Sequence, residues 1–197
     1  DSLNLSSADA IQVTATSRPN QRARGSGAAV LSDIGLAVGV GIGVTAHDAE
    51  ARLGDGIQVS RADAGLSVAA RSEQNLSADF DNRLFAEAYS GAGATNVGVA
   101  GALAAGVSAN TNTAGIGQNT TINSTGQVAV SAIEINRVPV RAAAGAVALG
   151  KVAIGASATT IVAANSNRAL VGQGASLTAA GLSVIAENRR HSEAKLN

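Results

Sequence analysis

The sequence contains no cysteine, methionine or tryptophan, and its only aromatic residues are Phe80, Phe85 and Tyr89. The absence of cysteine excludes disulfides and thiolate metal sites and is compatible with export from a bacterium. The 14 basic residues balance the 14 acidic ones, so the formal net charge is zero. Proteins that bind nucleic acid or anionic membranes usually carry a basic excess. We therefore expect no nucleic-acid partner.

Long hydrophobic runs are also missing. One of the longest, "GLAVGVGIGV" at 35–44, stops before Thr45 and is too short to cross a membrane as a helix. Its glycines at 35, 39 and 43 have the small-xxx-small spacing of paired membrane helices, but the polar residues Asp33 and His47 bound the run. The sequence therefore predicts no membrane insertion.

Internal repeats are the main signal that is present. Three segments align, "HDAEARLGDGIQV" at 47–59, "NTNTAGIGQNTTI" at 110–122 and "NSNRALVGQGASL" at 165–177. Their shared glycines lie 63 residues apart, from Gly54 to Gly117, and 55 residues apart, from Gly117 to Gly172. Further blocks recur in the same order around them. We predict one repeat domain over 1–197, divided into a partial unit and three units: 1–24, 25–88, 89–142 and 143–197.

Apolar residues alternate with other residues within each unit, as in "LSVAA" at 66–70. A period of two indicates strands, and short clusters of glycine and polar residues between the strands indicate turns. Strands that recur at a long fixed period are typical of stacked coils. We predict an all-β fold, a parallel β-solenoid of about three units of about 55 residues, with large flattened coils and long strands rich in Gly, Ala and Val.

The long strand of each unit has one larger face and one very small face. In the first unit the larger face, expected to be core, carries Ile34, Leu36, Val38, Val40, Ile42 and Val44. On the small face, 17 of 18 residues across the three units are Gly, Ala, Ser or Thr. Small side chains let two sheets approach more closely than the usual ~10 Å, so both faces are expected to be covered. The predicted tight sheet-packing face includes Gly35, Gly39, Gly41, Gly43, Gly98, Ala102, Gly106 and Gly155.

Catalytic and metal-binding patterns are weak. His47 occupies the position of Asn110 and Asn165 in the other units and is interpreted as a polar turn residue. Asp79 and Asp81 supply too few oxygens for a calcium site. Asp48, Glu50, Asp55 and Asp63 could pair for glycoside chemistry, although solvated turn residues are the simpler interpretation. We predict no enzyme activity, catalytic residue, metal or cofactor.

Two surface features leave alternatives open. Phe80, Phe85 and Tyr89 fill a widening of the core or form a patch for a partner or sugar. Nine of the twelve arginines follow the "LSVAA"-type strands, in segments expected to be loops. They form a basic ridge for surface glycans, or ion pairs with the acidic residues that share those segments.

Several phrases resemble the repeat regions of giant bacterial surface proteins. "GAVALGKVAIGAS", "NSNRALVGQGASLTA" and "GLSVIA" are similar to phrases of filamentous-haemagglutinin-type adhesins and leukotoxin-like exoproteins. The resemblance covers nearly the whole chain. It implies a non-catalytic β-solenoid segment of a filament or adhesin stalk, extracellular or at the cell surface.

Two other functions remain open. Because neither end of the sequence shows a cap, the chain could be a fibre subunit that stacks end to end on other copies. A carbohydrate-binding or carbohydrate-active β-helix is the third candidate.

Overall fold

The computed structural model describes residues 3–19, 21–74 and 85–196. The described residues form strands and turns, without helices. The twelve strands are β1 (Asn4–Ser7), β2 (Ile11–Ser17), β3 (Ala23–Leu53), β4 (Gln58–Ala62), β5 (Leu66–Glu73), β6 (Ala86–Ile116), β7 (Thr121–Ser124), β8 (Gln127–Ala148), β9 (Val152–Ala163), β10 (Ser166–Val171), β11 (Ser176–Thr178) and β12 (Gly181–Leu196). The all-β prediction is confirmed.

The strands form two sheets. The smaller has four strands in the order β1-β4-β7-β11, and the larger contains the other eight. All the pairings described between strands are parallel. Parallel neighbours cannot be joined by tight hairpins. The chain therefore passes through strands of both sheets before a strand pairs with an earlier one.

The register of pairing follows the repeat alignment. Ala51 pairs with Ala114, which pairs with Ala169. In the small sheet, Val59 pairs with Ile122, which pairs with Leu177. Equivalent positions of successive units are thus direct neighbours in the sheets. The unit boundaries themselves stay a prediction.

The long strands β3 and β6 each turn back on themselves. A Cβ placed on Gly27 would overlap the carbonyl of Val38, and one on Gly25 would overlap that of Val40. The two halves of β3 therefore lie face to face. We call residues 23–30, 86–94 and 140–148 the first arm of the three layers, and 34–45, 97–108 and 152–163 the second arm. Successive layers pair within each arm.

The interior has an aliphatic compartment at one end and an alanine-rich compartment at the other. The aliphatic compartment lies between the small sheet and the neighbouring strands, and it includes Leu53, Val59, Leu66, Ile116 and Val128. The alanine-rich one lies between the two arms. The interior therefore narrows from a compartment of ordinary core residues to one that holds almost only small side chains.

The prediction that the larger face of the long strand is core is wrong. Ile34, Leu36, Val38, Val40, Ile42 and Val44 face outward and are 48–70% exposed. In the middle layer Leu103, at the equivalent of Val40, is 42% exposed. The expected cover on both faces is therefore absent from the described residues, where only the small face is covered. The first arm, with which the second arm packs, leaves no room for the larger side chains.

The segments expected to be loops after the "LSVAA"-type strands are strands. They continue as the later parts of β5, β8 and β12, so Pro139 lies inside β8 rather than in a loop. Their inward residues include Ser72, Glu134 and Asn136, all buried. Polar residues at inward positions remove the apolar alternation that indicates a strand.

Candidate functional site

The most unusual part of the molecule is the double layer formed by the first and second arms. Both arms face each other with small side chains. From the first arm these include Gly25, Gly27, Ala29, Ala86, Ala88, Ser90, Ala92, Ala142 and Ala144, and from the second Gly35, Ala37, Gly39, Gly41, Ala100, Ala102 and Ala104. Side chains of this size let the two backbones come closer than in ordinary stacked sheets.

Glycine is required where the backbones are closest. A Cβ on Gly39 would overlap the carbonyl oxygen of Tyr89, and one on Gly41 would overlap that of Glu87. Because the obstacle in each case is backbone, no rotamer change removes it. A hydrogen bond also joins the two arms, since the buried Ser90 hydroxyl donates to the carbonyl of Ala37 at 2.8 Å.

The predicted tight-packing residues lie in the double layer. Gly35, Gly39, Gly41, Gly43, Gly98, Ala102 and Gly106 are buried, whereas Gly155, in the last layer, is exposed. A Cβ on Gly155 would nevertheless lie 2.9 Å from the carbonyl oxygen of Ala144. The first arm as the partner of this face was missed. Its signal is in the small-residue blocks "SGAAV", "SGAGA" and "AGAVA".

The aromatic residues separate. Phe85 is fully buried beside Val138 and Val140 and lies against Gly43 and Gly106 at one end of the double layer, so it does not belong to an accessible patch. Tyr89 lies between the guanidinium groups of Arg24 and Arg141, 5.4 and 5.5 Å from its ring centre. Phe80 lies outside the described residues.

A column of buried polar side chains separates the two compartments; its buried members are Ser108, Asn110, Asn112, Glu134 and Asn136. Glu134 is fully buried, and its Oε1 accepts a hydrogen bond from Asn110 Nδ2 at 2.8 Å. Ser108 Oγ accepts hydrogen bonds from Asn110 and from Asn136, at 3.1 and 2.6 Å. Asn167, which lies in the next layer, accepts a hydrogen bond through its Oδ1 from Asn112 Nδ2 at 2.8 Å. These amides thus join neighbouring strands and neighbouring layers.

The column is not fully satisfied. Glu134 Oε2 and the amide oxygens of Asn110, Asn112 and Asn136 are buried without a partner at hydrogen-bond distance. Burial, the largest effect, raises the pKa of Glu134, and hydrogen bonds from nearby asparagines offset this only in part. Ionisation of Glu134 therefore opposes folding.

Ion pairs cover the outer side of the first arm. Glu87 is contacted by Arg22 at 3.0 Å and by Arg24 at 3.7 Å. Burial opposes ionisation of Glu87, but hydrogen bonds from Tyr89 and Arg22 and the charges of both arginines outweigh it and lower the pKa.

The same pattern continues along the arginine-rich segments. Glu73 pairs with Arg18 and Arg71, and Glu187 pairs with Arg189. These pairs correspond to the mixed, ion-paired surface rather than to a free basic ridge.

The weak catalytic and metal candidates do not assemble. Among the described residues, no group of three or more His, Asp or Glu side chains could hold a metal ion. Asp55 pairs with Arg52, and Asp63 pairs with Arg61. His47 pairs in the sheet with Asn110, the position that the repeat alignment gives it. Asp79 and Asp81 lie outside the described residues.

Comparison with protein families, curated proteins and solved structures finds no match to this chain. The described residues contain no helix that is long and apolar enough to cross a membrane.

Proposed function

We propose that the chain is a non-catalytic, structural β-solenoid segment of an extracellular bacterial filament or adhesin stalk. The observation that carries the proposal is the parallel, residue-for-residue stacking of repeat positions, such as Ala51 on Ala114 on Ala169. A coil that repeats in this way builds length at about 4.8 Å per layer. Each added layer reproduces the same surface, which suits a spacer.

The interior supports a structural role for the same reason. The narrow double layer is filled by backbone and small side chains, except at one end where Phe85 lies, and the aliphatic compartment is filled by a continuous core. The resemblance of the repeats to surface adhesins supports the extracellular setting.

The absence of cysteine allows a direct test of the stacking order. Gln58 pairs with Thr121, which pairs with Ser176, and all three lie on the outer side of the small sheet. A Gln58→Cys/Thr121→Cys variant should form an intramolecular disulfide, because neighbouring strands bring the two Cα atoms within about 5 Å. The matched control, Gln58→Cys/Ser176→Cys, spans two layers and should stay reduced.

The outcome is read by mobility on non-reducing gels at low protein concentration. Equal crosslinking of both pairs, or of the control pair alone, would contradict a solenoid.

The role as a spacer is tested separately. Electron micrographs should show short particles of one length. Particles that lengthen as the concentration rises would instead support the fibre subunit, and retention on a glycan array would support the carbohydrate-binding alternative.

A further inference from the structure

The outer face of the second arm is apolar in all three layers. Its 18 positions are Ile34, Leu36, Val38, Val40, Ile42, Val44, Val97, Val99, Gly101, Leu103, Ala105, Val107, Val152, Ile154, Ala156, Ala158, Thr160 and Val162. We call this set the aliphatic face. Thr160 is its only polar residue, and it carries no charge.

The exposure of this face is not an effect of its position in the stack. Leu182 and Val184, in the last layer, are exposed, whereas their neighbours Val128 and Val130 in the middle layer are buried. On the aliphatic face, by contrast, Leu103 in the middle layer is itself 42% exposed, and the other five face residues of that layer are half-buried. Further layers above or below would leave it uncovered.

The area of the face is at the lower limit for a stable contact with a second copy. Twelve residues at about 3.3 Å by three strands at about 4.8 Å give roughly 570 Å². Two such faces together bury about 1,100 Å², against the roughly 1,000 Å² that a specific interface needs. A contact of this size and composition fits a weak, reversible dimer.

Charges at the two ends of the face select one arrangement of two copies. In the first layer, Asp33 comes directly before the aliphatic face, and Asp48 and Glu50 come four and six residues after Val44; all three are acidic and exposed. Lys151 and Arg168, at the corresponding ends of the third layer, are basic and exposed, and Arg168 is stacked on Glu50 through Thr113.

We propose that two copies of this chain pair through their aliphatic faces, about a two-fold axis that runs along the middle strand β6. This axis places the first layer of each copy opposite the third layer of the other. Asp33 then faces Lys151 and Glu50 faces Arg168 of the second copy, at both ends and on both sides. An axis across the strands would instead oppose the two acidic first layers, which is unfavourable.

Side-chain size agrees with this arrangement. In the centre of the face, the first layer carries Val38 and Val40, and the third layer carries Ala156 and Ala158. The proposed axis places larger side chains opposite smaller ones. It also places Leu103 opposite Leu103 of the second copy, at the centre of the contact.

The test is sedimentation velocity between about 1 and 200 µM, a range that brackets a micromolar dissociation constant. The unaltered chain should show a monomer–dimer equilibrium. Leu103→Lys places two ammonium groups against each other at the centre and should weaken the dimer by about 100-fold or more. Ala129→Lys, a lysine on another outer surface of the middle layer, is the matched control and should leave it unchanged.

A charge exchange tests the axis. Glu50→Arg should weaken the dimer by about 10-fold, and Glu50→Arg/Arg168→Glu should restore it. Far-UV circular dichroism shows that each variant is folded.

Three results would overturn the proposal. The first is a chain that stays monomeric throughout, which would mean that another molecule covers the face. The second is a series of longer species that Leu103→Lys does not change, which would indicate end-to-end contacts. The third is a charge exchange that fails to restore the dimer. None of these outcomes depends on the disulfide test of the stacking order.

Discussion

A single methyl group, added at Gly39, tests whether the two arms are as close as the structure places them. A Cβ there would overlap the carbonyl oxygen of Tyr89 on the facing arm. The same substitution at Gly101, on the outer side of the second arm in the next layer, would meet nothing within 4 Å. Gly39→Ala and Gly101→Ala therefore make the same chemical change on opposite sides of the same sheet.

The expected effects have opposite signs. Overpacking of a closed interior costs about 1–3 kcal/mol, and we expect the upper end at Gly39 because the obstacle is backbone. At Gly101 the methyl group meets no other atom of the same chain within 4 Å, and restriction of the unfolded chain should stabilise the protein by about 0.5 kcal/mol. For a chain of this size each kcal/mol shifts the melting temperature by about 2–4 °C, so Gly39→Ala should lower it by about 6–12 °C.

The measurement is urea and thermal unfolding followed by far-UV circular dichroism, with both variants beside the unaltered chain. If Gly39→Ala is as stable as Gly101→Ala, the two arms are not in contact at this point.

Two further changes probe the rest of the interior. Burial raises the pKa of Glu134 in the folded chain above its ordinary value of 4.5. The free energy of unfolding is therefore highest at a pH below the pKa of the unfolded chain, where Glu134 is protonated in both states, and it falls as the pH rises through the pKa of the folded chain. Glu134→Gln should remove this loss, so the urea midpoint of the variant should rise relative to that of the unaltered chain between pH 4 and 8. A difference in midpoint that does not change with pH would contradict the prediction. Phe85→Ala should cost about 3–5 kcal/mol in urea unfolding because the ring is fully buried, whereas Val147→Ala, at a residue 66% exposed, should cost little; equal losses would contradict the placement of Phe85.

The register of the sheets could be predicted from the sequence because the signal is repeated. Turn glycines and inward aliphatic residues recur at the same positions in each unit, as at Gly54 and Gly117 or at Val59 and Ile122. Each repeat is an independent copy of the same local pattern, and stacking places the copies against each other. Alignment of the units was therefore enough to predict which residues pair.

The orientation of the long strand could not be predicted by hydrophobicity alone. The usual expectation is that larger apolar residues point inward. Here the facing arm carries residues such as Ala88 and Ser90, and the space between the arms accepts only side chains of this size. Orientation depended on a partner strand that the pattern of one strand does not reveal.

The later parts of β5, β8 and β12 could not be recognised as strands for a different reason. Their inward positions, among them Ser72, Gln74 and Asn136, are polar and buried. Such residues hide the strand signal, which depends on apolar alternation. What replaces hydrophobic burial there is hydrogen bonding between layers, as between Asn112 and Asn167, and this depends on the stacked copies rather than on any one segment.

The narrow double layer and the exposed aliphatic face have one physical cause. Residues of a strand alternate between its two faces, so if one face must carry only glycine, alanine and serine to fit against the first arm, every large side chain of the second arm must point away from it. Val38 and Val40 are exposed because Gly39 lies against Tyr89. A tolerated methyl group at Gly39 would therefore contradict the close approach of the two arms. It would also remove the reason for an outward aliphatic face, and with it the basis for the contact between two copies.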